Sequence, residues 1–156
     1  MLKLDKNGNL YPYNVIEIDL QEVRAFFVDN FITSFTRKRL FDNYVLLFDE
    51  VKTITETISF SLINGSFVSD KINPNDIDVV FFIEHTIFER NNEKIELLKK
   101  QFNELNIDCY FEKIYPKNHS YYIRYQTDLL YWHNLFTKSR KREPKGYLKI
   151  IIENEK

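Results

Sequence analysis

The feature that most constrains this chain is a pair of acids heading a run that is apolar at every position. Asp76-Ile77-Asp78 leads directly into Val79-Val80-Phe81-Phe82-Ile83. A strand that is apolar at both alternating parities needs cover on both sides, so it belongs inside a sheet. Asp76 and Asp78 are two apart, so both side chains leave the same face, with Cα atoms about 6.5–7 Å apart. A carboxylate at the mouth of a buried strand is costly unless a charge partner or a metal meets it. Upstream, Leu62-Ile63-Asn64-Gly65-Ser66 closes another extended run, and nine residues separate Ser66 from Asp76.

The surrounding periodicities place this strand in an α+β domain. In Thr57-Ile58-Ser59-Phe60-Ser61-Leu62 polar and apolar residues alternate, which predicts a strand with one buried face. Before it come two helical patterns. Asp19 with Glu22 has capping-box spacing, followed by Val23, Phe26, Phe27 and Phe31 at helical intervals. A second helix is expected to open after Thr33 or Ser34, with Leu40, Phe41, Tyr44, Val45, Leu47, Phe48 and Val51 as its apolar set. After the acid-headed strand, a helix carries Ile95, Leu98, Phe102 and Leu105. A strand over Ile107 to Ile114, a helix over 126–137 and a last strand over Leu148 to Ile152 follow. Residues 1–18 read as a turn-rich arm ending in the extended run Val15 to Ile18. The expectation is one domain over residues 1–156, with helices packed mainly on one face of the sheet.

Composition removes several function classes. An aromatic share of 16% and a hydrophobic share of 44% exclude an intrinsically disordered chain. Twenty-two basic against 23 acidic residues exclude a global polycation that wraps nucleic acid. Cys109 stands alone, so no internal disulfide forms. No stretch of eighteen apolar residues occurs and the start lacks an apolar centre. These observations predict a soluble, cytoplasmic protein without a membrane partner.

The acid pair and the Gly-Ser bend together have a chemical logic. Two converging carboxylates suit Mg²⁺ or Mn²⁺, hard cations that take oxygen ligands and commonly keep phosphate oxygens among them. Paired ions of this kind stabilise the attacking and leaving oxygens of a phosphoryl displacement. Gly65 lets backbone approach a ligand without a Cβ in the way. Ser66 offers a hydroxyl, and a short helix opening there would turn free N–H groups toward a triphosphate. The plainer alternative treats Gly65-Ser66 as a strand end, Asn73-Pro74-Asn75-Asp76 as turn chemistry, and Asp78 as a solvent-facing residue.

The segment resembles the signature of the DNA-polymerase-β-like nucleotidyltransferase superfamily, a Gly-Ser followed after roughly ten residues by Asp-x-Asp. More narrowly, the run Gly65-Ser66-Phe67-Val68-Ser69-Asp70-Lys71-Ile72-Asn73-Pro74-Asn75-Asp76-Ile77-Asp78-Val79 is similar to one in small bacterial nucleotidyltransferase-like proteins. The likeness extends to Asn7 through Pro12, to Ser34 through Arg39, and from Trp132 to Lys145-Gly146. It implies a mixed sheet, Mg²⁺ or Mn²⁺ on Asp76 and Asp78, and nucleotide phosphates at Gly65 and Ser66. Superfamily members add a third carboxylate from a neighbouring strand. Asp108 occupies the expected place as catalytic and metal-binding residue, with Glu112 in reserve. The resemblance also implies a nucleoside triphosphate substrate and a protein or RNA acceptor, in a toxin–antitoxin or phage-defence setting.

Other residues leave alternatives open. Lys71 either reaches phosphate oxygens or is a solvated loop lysine. Arg37 and Arg39 read as surface charges. Lys138, Arg140, Lys141, Arg142 and Lys145 form a solvated loop or meet RNA or a partner protein. His133 reads as a packed core histidine and Cys109 as a small buried hydrophobe. Two functions follow. One is a metal-dependent nucleotidyltransferase that moves a nucleoside monophosphate from a nucleoside triphosphate to a hydroxyl. The other is a non-catalytic, antitoxin-like or binding subunit on the same fold.

Overall fold

A computed structural model describes residues 2–153. Its main sheet has five strands in the order β3-β7-β4-β5-β6. In chain order the elements are β1 (Lys3–Leu4), β2 (Leu10–Tyr11), β3 (Val15–Glu17), α1 (Leu20–Arg24), α2 (Arg37–Ile54), β4 (Ser59–Asn64), β5 (Ile77–Glu84), α3 (His85–Arg90), α4 (Asn92–Asn103), β6 (Ile107–Ile114), α5 (Tyr122–Phe136) and β7 (Tyr147–Ile152). Strands β5 and β6 run parallel, as do β3 and β7, while β4 is antiparallel to both its neighbours. The fold is α+β with a mixed sheet.

The acid-headed strand lies in the sheet interior, between β4 and β6. Ile77, Val79, Phe81 and Ile83 enter the larger core with residues of α1, α2 and α4, including Val23, Leu40, Leu47 and Phe102. Val80 and Phe82 enter a smaller core with Phe60, Leu62 and Tyr147, roofed by Trp132 and Phe136 of α5. With Ile87 of α3 in the same cluster, four helices contribute to one face, and among the described residues α5 alone covers the other. Asp76 and Asp78 share the parity of Val80 and Phe82, so they lie on the α5 side.

Strand β4 departs from its alternating pattern. All six of its residues are buried, Ser59 and Ser61 included. The reason is its place between β5 and β7, where neither face meets water. Ser61 is accommodated because the Tyr44 hydroxyl bonds its Oγ at 2.9 Å, inside the larger core. Asp19 caps α1 through a complete capping box with Glu22. The helix then widens into a π-helical turn over Ala25–Asp29 rather than continuing regularly to Phe31.

Arg37 is the main correction to the sequence reading. Expected at the surface, it is fully buried at the start of α2. The helix opens three residues later than Ser34 because the Ser34 hydroxyl oxygen accepts from the Arg37 and Thr36 amides. The guanidinium is then fully satisfied by backbone. Nε and Nη2 donate to the Lys71 carbonyl, Nη2 also to Ser69, and Nη1 to Phe27 and Phe67. The Phe31 ring closes one side, with its centroid 3.7 Å from Cζ. All five N–H donors are used, which is what makes burial of the charge tolerable. Arg39 remains exposed as expected.

Arg37→Met keeps an unbranched apolar stem and leaves four carbonyls without their Arg37 donor. Urea unfolding is expected to show a loss of about 3 kcal/mol relative to the unaltered chain. A loss below about 0.5 kcal/mol would show that the guanidinium is not what orders these carbonyls.

Candidate active site

The site forms where β4 ends and β5 begins. Antiparallel pairing sets Asn64 opposite Asp78, and parallel pairing sets Asp78 beside Asp108. Gly65 follows with φ 82° and ψ −170°, a conformation side chains disfavour. The space is also taken: a Cβ on Gly65 would lie 2.7 Å from Asp78 Oδ2. Glycine is therefore required twice over, for the turn and for the approach of the carboxylate. Ser66 begins a single 3-10 turn, Ser66–Val68, whose Val68 amide bonds back to the Gly65 carbonyl at 3.0 Å.

A buried cation completes the bend. Lys145 Nζ donates to the same Gly65 carbonyl at 2.8 Å, although Lys145 is only 5% exposed. Burial drives its pKa down to about 8, partly offset by the charge of Asp78. Asp78 shows the converse. Burial, then the charges of Asp76 and Asp108, push its pKa up to about 6 against the pull of Lys145. Three carboxyl groups thus crowd one spot with one buried ammonium nearby, an excess of negative charge that favours a cation.

The hairpin after α5 delivers that lysine. Its ladder runs from the Lys145 amide to the Thr137 carbonyl, 2.9 Å, and from the Ser139 amide to the Glu143 carbonyl, 2.9 Å. Arg142 turns the corner with φ 62°. The N-terminal arm lies across it, with the Gly146 amide bonded to the Leu10 carbonyl at 2.8 Å. The same arm touches the Gly-Ser loop, where the Asp70 amide donates to the Gly8 carbonyl at 3.0 Å. Between arm, hairpin and sheet lies a pocket of about 530 Å³. Asn64, Gly65, Ser66, Asp76 and Asp78 line one side, and Lys138, Arg140, Lys141 and Lys145 another. That volume suits a nucleotide-sized ligand.

Eight of the residues singled out from sequence line this pocket together: Gly65, Ser66, Asp76 and Asp78 of the motif, and Lys138, Arg140, Lys141 and Lys145 of the basic stretch. Asp108 stands next to Asp78 in register and is half-buried. Glu112, the reserve, lies about 13 Å further along β6. It accepts from Trp132 Nε1 at 3.4 Å, and burial followed by the charge of Asp128 raises its pKa. Lys71 is not brought to the pocket. Its side chain is exposed, and its carbonyl serves the Arg37 clamp. The cations at the pocket are instead Lys145, buried, and the exposed Lys138, Arg140 and Lys141. His133 bonds the Tyr147 hydroxyl at 2.8 Å, half-buried beside the smaller core.

The fit to a divalent cation follows from the donors present. Asp76 and Asp78 offer hard oxygens on one face, and burial and like charges make Asp78 harder to ionise than an ordinary aspartate. Among the described residues, no group of three or more His, Cys, Asp or Glu side chains is spaced to hold a metal ion. A cation here therefore takes further oxygen from elsewhere, such as phosphate or an amide.

A family profile described as a family of unknown function, DUF6932, matches residues 2–151. The chain belongs to the DUF6932 family. Searches of curated proteins and of solved structures returned no match. No helix among the described residues of this DUF6932 member is long and apolar enough to cross a membrane.

The electrostatics make a stability prediction. Asp76→Asn removes one like charge from beside the buried Asp78. In the presence of chelator at pH 7.5, the variant is expected to melt about 2–4 °C higher, a gain of roughly 1 kcal/mol. A lower melting temperature would mean that the carboxylates do not repel one another as described.

Proposed function

We propose that this DUF6932 protein is a nucleotidyltransferase that moves a nucleoside monophosphate from a nucleoside triphosphate to an acceptor hydroxyl of a protein or RNA. The observation that carries the reading is the Asp78 carboxylate seated on the open face of Gly65, with Asp76 and Asp108 beside it, at the wall of a nucleotide-sized pocket. A placement in a toxin–antitoxin or phage-defence module rests on the sequence resemblance alone.

Asp76 and Asp78 are the residues that would hold Mg²⁺ or Mn²⁺. When bound, the ion would neutralise charge on the phosphates during displacement. The chain's own residues do the rest. Gly65, without a Cβ, lets the Asp78 carboxylate stand against the bend where the triphosphate would sit, and the Ser66 hydroxyl donates to a phosphate oxygen. Lys145 fixes the Gly65 carbonyl and so the shape of the bend. Lys138, Arg140 and Lys141 on the opposite wall meet the remaining phosphate charge, in place of Lys71, which does not line the pocket. Asp108, outside the pocket wall but adjacent to Asp78, takes the proton from the acceptor oxygen as that oxygen bonds to the α-phosphorus. The bond from the α-phosphorus to pyrophosphate breaks in the same displacement. Positioning and charge neutralisation account for the acceleration, with no covalent enzyme intermediate.

The competing reading is a binding subunit that keeps the pocket without transfer. Incubation with α-labelled nucleoside triphosphates, Mg²⁺ and cell extract is the separating experiment. The unaltered chain is expected to place label in RNA or protein, and the Asp76→Ala/Asp78→Ala variant to lose at least about a hundredfold of it. Nucleotide binding by the unaltered chain with no label transferred would favour the binding subunit instead.

A further inference from the structure

Among the described residues, one buried polar atom beside the acid pair lacks a hydrogen-bond partner. Asn64 is 5% exposed, yet its Oδ1 accepts no hydrogen bond. Its Nδ2 donates to the Phe136 carbonyl at 3.0 Å. That bond fixes the amide orientation, because flipping it would set two carbonyl oxygens against each other. A buried acceptor left unpaired is destabilising unless something arrives to meet it.

The position of Asn64 indicates what arrives. It is the last residue of β4 and the register partner of Asp78, so the two side chains stand on the same sheet face with Cβ atoms about 4.5–5.5 Å apart. Asn64 also lines the pocket with Gly65, Asp76 and Asp78. No side chain among the described residues donates to it: the hydrogen bond that Lys145 Nζ makes here goes to the Gly65 carbonyl, and the acids beside it offer oxygens. A cation is the kind of group that can be shared at once by an amide oxygen and two carboxylates. An amide oxygen is a hard, neutral ligand of the kind that Ca²⁺- and Mg²⁺-type ions accept beside carboxylates.

We infer that Asn64 Oδ1 is a third protein ligand for the divalent cation, completing with Asp76 and Asp78 a set that the carboxylates alone do not make. This rests on the nucleotidyltransferase reading for the identity of the site, but it concerns the ion and not the transfer. It also accounts for an asparagine directly before the glycine of the bend, where an apolar residue would pack without an orphaned oxygen.

Mn²⁺ binding, followed by electron paramagnetic resonance without nucleotide, tests the inference apart from activity. The unaltered chain, Asn64→Leu, Asn64→Ala and Asn64→Asp are compared, with thermal melting in chelator as a check on folding. The leucine and alanine variants are expected to bind Mn²⁺ about tenfold more weakly; they also lose the bond to the Phe136 carbonyl and so melt somewhat lower, but remain folded at the temperature of the binding measurement. The aspartate variant, which keeps an oxygen at that place, is expected to retain binding. Equal Mn²⁺ affinity in all folded variants would overturn the role of Asn64 and leave the acid pair standing. No Mn²⁺ binding by the unaltered chain would remove the metal reading itself, a distinct failure.

Discussion

A single guanidinium with no carboxylate bonded to it holds the functional loop in place. Arg37 gives all five donors to carbonyls of Phe27, Phe67, Ser69 and Lys71. Three of those carbonyls belong to the stretch just after Gly65-Ser66, and the fourth to the π-helical turn after α1. The loop that links the glycine bend to the acid pair is therefore clamped from beneath by the first turn of α2. Backbone carbonyls buried in a loop need donors from somewhere, and here one side chain supplies them. With Arg37 in place, the register of β4 against β5 brings Gly65 to Asp78 without further adjustment.

On that support the chain builds an electrostatic arrangement that works against its own stability. Asp78 is half-buried beside Asp76 and Asp108, and its pKa is raised by burial and by their charges. Lys145 is buried with its pKa lowered. Neither group would be chosen to strengthen a core. Local destabilisation of this kind, concentrated at one pocket wall while the apolar residues of both cores pack conventionally, is the pattern expected where charge is reserved for a ligand. The family match places the chain in DUF6932, and the chemistry of the pocket supplies the functional reading.

Much of this was legible in the sequence, for definite reasons. Periodicity located β5, because an apolar run at both parities has few alternatives. Strand β6 was bounded correctly at Ile107 and Ile114, since a helix ends just before it. The capping box at Asp19 and Glu22 is a local device and needed no tertiary knowledge. What escaped depends on distant contacts. Alternation suggested a solvent face for β4, but its position between β5 and β7 buries Ser59 and Ser61. Arg37 looked like surface charge because its carbonyl partners lie 10 to 34 residues away. Lys145 sits 80 residues from the carbonyl it binds, and the sequence shows it only as the end of a basic stretch and as part of the resemblance around Lys145-Gly146. Lys71 lay within the motif, which gave it a role that its exposed side chain does not take up. Asn64 carried no signal beyond its place before Gly65; its significance emerges from an oxygen left unpaired.

The central claim is that a divalent ion and a triphosphate meet between the acid pair and the glycine bend. A crystal structure grown with Mn²⁺ and a non-hydrolysable nucleoside triphosphate analogue addresses it directly. Anomalous scattering is expected to place manganese within about 2.0–2.4 Å of oxygens of Asp76 and Asp78, with phosphate oxygens against Gly65 and Ser66. A nucleotide bound elsewhere, with no anomalous peak beside these aspartates, would contradict the account.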